Sequence, residues 1–285
     1  MALKIERLMV VVCLLAGVGW ARTQDSGADA KEIVKAAAAA EIVADNTDHS
    51  RWRYKDTRKD QGDSVFIVAE TDHGSVKRLI SRGGQSLSEE EARAEDARVQ
   101  EFIRDPEKLA KQHKDSTQDD KNARELTNML PDAFVWKVVS DDGERVKLHF
   151  EPNPNFDPPD MQSRVLGDMA GEMVVDKKQH RIATLSGRLM RDVTIGWGLL
   201  GRLHEGGTFR VERREVAPGL WQITETHVHI EGRVLFFKNI SQEQDEVQSE
   251  FTQVPKGTTL EQAAEMSKPG YVAAPPAATG TVKLR

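Results

Sequence analysis

Residues 207–230 read GTFRVERREVAPGLWQITETHVHI, and this stretch decides the fold. Two runs rich in β-branched and aromatic residues, Gly207–Val216 and Leu220–Ile230, flank Pro218-Gly219, a pair suited to a tight turn. A connection so short makes the second strand lie antiparallel beside the first. The pattern extends in both directions. Upstream, Glu172–Asp176 and Arg181–Leu189 are strand-like and lead into a glycine-rich apolar bend, Gly196–Gly201. Downstream come Arg233–Ile240 and Asp245–Val254, with Glu231-Gly232 and Ser241–Gln244 read as their turns. The expectation is an antiparallel meander over Gly171–Val254.

The first half of the chain supplies helices and further hairpins. Asp29 is placed to cap a helix over Ala30–Ala44, and strands are expected at Arg51–Thr57, Ser64–Thr71 and Ser75–Ser81. Ser88 and Glu91 have capping-box spacing, ahead of an apolar edge at Val99, Phe102 and Ile103. Asp105-Pro106 reads as a stop and restart, and Lys111–Arg124 as a solvated helix or mobile connector. A last turn at Leu126, Met129 and Leu130 is expected to end before Pro131. The hairpin Ala133–Val139 and Arg145–Phe150 turns through Asp141-Asp142-Gly143. Short helices are expected within Asp160–Ala170 and at Leu260–Met266.

With 285 residues, 38% hydrophobic and 30% charged, the chain can bury a sizeable core and has a polar surface. Its net charge of −6, without lysines interleaved with aromatics, argues against a nucleic-acid partner. Lys4 and Arg7 precede an apolar run, Leu8–Trp20, and Gly19-Trp20-Ala21 puts small residues at the cleavage positions. Residues 1–21 therefore read as a secretory signal, with a retained membrane anchor as the competing reading. The implied location is periplasmic or secreted. Cys13 lies inside that run and is the only cysteine, so the mature chain folds without disulfides. The expected layout is a single domain at 22–255, carrying a charged helical insertion at 87–130, and a disordered Ala/Pro-rich tail at 256–285.

The element order, with Gly171-Glu172-Met173-Val174-Val175-Asp176 followed by His180-Arg181-Ile182-Ala183, resembles the lipoprotein-carrier (LolA/LolB-like) superfamily. Leu79–Glu91 and Ile195–Gly207 are similar to stretches of exported bacterial proteins of that general shape. The resemblance implies an α+β fold: a half-open antiparallel β-barrel wrapped around or covered by helices, sheltering acyl chains on an apolar concave face. It implies no catalytic residues and no cofactor. Its implied partner is a lipid or an acylated protein.

Strand alternation makes Trp52, Tyr54, Phe134, Trp136, Phe209, Trp221 and Phe236 the candidate groove lining. The competing reading puts these rings in an ordinary core beneath helices. Trp197, Leu199 and Leu200, in the glycine-rich bend, are either a tight corner or a gate touching a membrane interface. His227 and His229 share one strand face with Glu225, the spacing of some metal sites, against solvent-facing histidines as the plainer reading. A non-enzymatic lipid binder is the leading expectation. An envelope scaffold with a self-filled core and a metal-dependent hydrolase are the alternatives. Oligomeric state leaves no trace in the pattern.

Overall fold

The computed structural model describes residues 26–195, 201–234 and 238–271. Among these residues the fold is α+β, a curved and unclosed antiparallel sheet of 13 strands with five helices. Helix α1 (Ser26–Thr47) is followed by β1 (Arg51–Arg58), β2 (Ser64–Thr71), β3 (Gly74–Arg82) and the two-residue β4 (Gln85–Ser86). Helices α2 (Glu89–Arg104) and α3 (Pro106–Ala133) precede β5 (Phe134–Asp141), β6 (Arg145–Pro152), α4 (Met161–Gly167), β7 (Met169–Asp176) and β8 (Arg181–Leu189). Then come β9 (Val193–Ile195), β10 (Gly201–Leu203), β11 (Thr208–Ala217), β12 (Leu220–Val234), β13 (Lys238–Val254) and α5 (Leu260–Met266). The sheet order is β4-β3-β2-β1-β13-β12-β11-β8-β7-β6-β5, with β10 pairing the far end of β12 and, on its other side, β9. Pairing of β1 with β13, Arg51 opposite Val254, joins the two halves of the chain into one sheet.

Local chemistry sets the helix ends. Asn46 and Thr47 donate from their side chains to the Ile42 and Val43 carbonyls and close α1. Ser88 and Glu91 form the reciprocal capping box at the start of α2. Asp105 ends α2 and restarts α3, its carboxylate accepting from the Glu107 and Lys108 amides. From there α3 runs unbroken for 28 residues, about 42 Å of helix, so Lys111–Arg124 is helix and not connector. It also passes Pro131, where a stop was expected. Burial of Leu130, Pro131 and Ala133 carries the final turn past the ring.

Both faces of the sheet are used. On the inner face Phe134, Trp136, Phe150, Met173 and Leu185 pack beneath Ala30, Val34 and Ala37 of α1 and Leu130 and Ala133 of α3. On the opposite face of β1–β3 and the end of β13, Ala69, Val76 and Val254 meet Val99 and Ile103 of α2 and Ala263, Ala264 and Met266 of α5. The region expected to be a disordered tail therefore belongs to the domain as far as Tyr271. Arg53 donates to the Met266 carbonyl at 2.8 Å, and Arg78 to Ser267 Oγ at 3.0 Å and the Ala264 carbonyl at 3.1 Å. The charged insertion is likewise a covering layer, since α2 and α3 each bury an apolar edge.

The meander differs from expectation at its far end. Three strands, β11, β12 and β13, replace the four expected, because neither Glu231-Gly232 nor Ser241–Gln244 is a turn. Glu231 sits opposite Ser241, and Gly232 opposite Ile240, inside a continuous ladder. Gly232 is there for proximity: a Cβ would lie 2.5 Å from the Arg202 carbonyl oxygen on β10.

A tighter crossing joins β7 and β8, where Gly171 faces Gly187. A Cβ on Gly171 would stand 2.0 Å from the Ser186 carbonyl oxygen and 2.5 Å from the Gly187 Cα, both backbone atoms that cannot step aside. Gly171→Ala is expected to cost about 2–3 kcal/mol in urea unfolding, with the denaturant slope unchanged. A loss below about 0.5 kcal/mol, the scatter of surface substitutions, would show that the strands do not approach this closely.

Candidate functional site

Two helices cross the inner face without covering all of it. Between the C-terminal half of α1, the middle of α3 and the sheet lies a cavity of about 600 Å³. Its apolar wall is made by Leu130 of α3, Ile182 and Leu185 of β8, Val211 of β11 and Ile223 of β12. Two β-bulges aim these side chains. On β8 the pairing slips between Val174/Thr184 and Val175/Ile182, so Ala183 is extra and Ile182 turns to the same side as Leu185. On β12 it slips between Glu212/Glu225 and Arg213/Ile223, leaving Thr224 as the added residue. Before that bulge Trp221 and Ile223 face inward; after it Thr226, Val228 and Ile230 do.

The polar side of the cavity is held by α1. Glu41 accepts from Arg181 Nε at 3.1 Å, Arg181 Nη2 at 2.9 Å and the Ile182 amide at 2.8 Å, and it pairs with Arg213 as well. The Glu41 and Arg181 side chains are 11% and 8% exposed. Burial pulls the Glu41 carboxyl upward, but the Arg213 charge and the Arg181 contacts together outweigh it and hold the group below the ordinary carboxylate value. Nearer the rim, Arg124 pairs with Asp45 at 2.7 Å and Arg51 with Asp72 at 3.1 Å. Gln112 fastens α3 to the sheet by exchanging hydrogen bonds with the Ser75 amide and carbonyl.

The residues singled out in sequence separate into distinct places. Trp52 and Trp221 line the cavity, each nearly buried, and Trp221 donates to Gln179 at 3.1 Å. Tyr54 stands apart from the cavity and stacks on Phe251, centroids 5.3 Å apart. Phe134 and Trp136 are in the main core instead, Phe134 edge-on to Trp136 at 6.1 Å and to Phe150 at 4.4 Å. Phe209 is also in that core, its ring laid over Gly187, which has no Cβ to obstruct it. Phe236 lies outside the described residues, as do Trp197, Leu199, Leu200 and residues 1–21, where a signal was expected. Val211 and Ile223 stand two positions from Phe209 and Trp221 in the same alternation, but nothing in the order of residues marks Glu41, Arg181 or Arg213.

His227 and His229 do share the outer face with Glu225. His227 is 3.3 Å from Asp245 and 3.7 Å from Glu225, whereas His229 leans on Glu231 at 3.7 Å. Among the described residues, no three His, Cys, Asp or Glu side chains converge to hold a metal ion. Nor, among them, is any helix long and apolar enough to cross a membrane. No family model, curated protein or solved structure matches the chain.

On the outer face of β6, His149 donates from Nδ1 to the Gly171 carbonyl at 2.7 Å. Burial, then the charges of Lys137 and Lys147, push it down from 6.5 to about 3. The unfolded chain therefore takes up this proton at higher pH than the folded one, and His149 subtracts stability as pH falls below about 6.5. Its imidazole C2–H resonance is expected to show no titration between pH 7 and pH 5 in NMR, and Lys137→Gln to raise the midpoint. A midpoint near 6.5 would contradict the packing described.

Proposed function

We propose that this is an exported, non-enzymatic carrier or sensor that holds the acyl chain of a lipid or acylated protein between α1, α3 and the inner face of the sheet. One observation carries the reading: an open-sided cavity of about 600 Å³, in the size range of small-molecule sites, with an aliphatic wall on the sheet and a largely polar, charged lining elsewhere. About a dozen buried methylenes would contribute about 10 kcal/mol before the costs of association, enough for useful affinity after them. The leader-like residues 1–21 support export, and the element order supports a relationship to the lipoprotein carriers. The interlocked Phe134, Trp136 and Phe150 favour a second reading, a scaffold whose core is self-filled and whose polar α3 face meets a protein partner.

Fluorescence titration of delipidated protein with N-phenylnaphthylamine, an uncharged apolar probe, separates these readings. The wild type is expected to bind it, and Ile223→Trp, which puts a ring into the cavity, to weaken binding by about tenfold or more, equivalent to about 1.4 kcal/mol. Circular dichroism melting of the variant guards against misfolding. A wild type that takes up no probe, or a folded variant that binds equally well, would remove the carrier reading.

A further inference from the structure

The carboxylate of Glu41 sits among donors that all belong to the sheet. Arg181 presents its guanidinium fork, Arg213 a second guanidinium and Ile182 a backbone amide, from β8 and β11, while the acceptor arrives from α1. Fork, second cation and amide together are the arrangement by which proteins recognise a carboxylate. The socket is also supported from behind. Arg181 lies 5.9 Å over the Trp221 ring, and that indole is fixed by Gln179, none of which involves α1.

Its position relates it to the cavity. Ile182 gives its amide to the socket and its side chain to the apolar wall, and Arg213 is two residues along β11 from Val211 of that wall. A carboxylate held at the socket would have its chain running over Ile182, Leu185 and Val211. We infer that Arg181, Arg213 and the Ile182 amide form the head-group site for a carboxylate-bearing amphiphile, and that Glu41 occupies this site as an internal competitor. This rests on the cavity being the acyl site proposed above. Binding of such a ligand displaces Glu41 and with it the tie between the C-terminal half of α1 and β8. Asp48, Glu70 and Asp120 also line the cavity and disfavour a second anion while Glu41 is in place. Removing the Glu41 charge therefore raises affinity for the ligand, where a purely structural clamp would only lose stability.

The test uses the full chain, wild type and Glu41→Gln, titrated calorimetrically with decanoate and with decanol. Glu41→Gln is expected to bind decanoate about tenfold or more tightly than the wild type does, the scale of one charge-assisted contact, with decanol affinity the same in both. Adding Arg213→Gln to Glu41→Gln is expected to cancel the gain. A separate arm reads the socket without the cavity: acetate is expected to raise the melting temperature of Glu41→Ala and leave the wild type unchanged. Equal decanoate affinity in wild type and Glu41→Gln, with decanol bound by both, overturns the socket and leaves the cavity standing. Binding of neither amphiphile overturns the cavity reading, and an acetate effect absent as well overturns the socket with it. If Glu41→Ala does not fold, the Glu41→Gln and double-variant titrations decide alone.

Discussion

A sheet that curves without closing leaves an inner face that must be covered, and here α1 and α3 are laid across it. Coverage is complete over β5 to β7, where aromatic rings and the small residues of α1 meet directly. From β8 toward β11 and β12 it is incomplete, and the aliphatic wall of the cavity borders the gap. Beyond, on β1 and β13, the inward-facing positions become polar. Asp56, Arg58, Gln244 and Glu246 form a connected network, with Arg58 on Glu246 at 3.1 Å and Gln244 on Glu246 at 2.8 Å. Such a network adds little net stability, but a slip of one residue would leave its charges buried without their partners. The ladder that unites the two halves of the chain is thereby held in one register.

The two helices are attached by different chemistry. Gln112 ties α3 to β3 through neutral amide hydrogen bonds close to Gly74, where a Cβ would lie 2.7 Å from the Gln112 oxygen. The C-terminal half of α1 is attached through ions, Glu41 to the sheet and Asp45 to α3. An ionic attachment can be exchanged for a ligand of like charge, whereas the amide tether has no such competitor. On the other face α2 and α5 pack against β1 to β3 and brace the far edge, while α1 and α3 lie over the cavity.

Elements whose limits depend on neighbouring residues were legible in the sequence. The bounds of β2, β8 and α5, the capping box at Ser88 and the restart at Asp105 all follow from side chains within a few positions of one another. Features that depend on distant contacts were not. Gly232 resembles a turn residue until β10 is seen against it, and Pro131 resembles a stop until its turn is seen buried. Strict alternation along β12 put Trp221 and the two histidines on one face, and only the slip at Thr224 separates them. Aromatic rings suggested the groove, but rings pack well on rings, and Phe134, Trp136 and Phe209 fill the core. The wall fell to smaller aliphatics that no motif distinguishes. Glu41 and its arginines, 140 and 172 positions apart, meet only through the topology.

Crystals of the full chain grown with decanol test the gap in the covered inner face most directly. The expected result is a continuous tube of electron density along Ile182, Leu185 and Val211, bounded by α1 and α3. Helices closed flush against those side chains, with the alcohol confined to the outer surface, would contradict it.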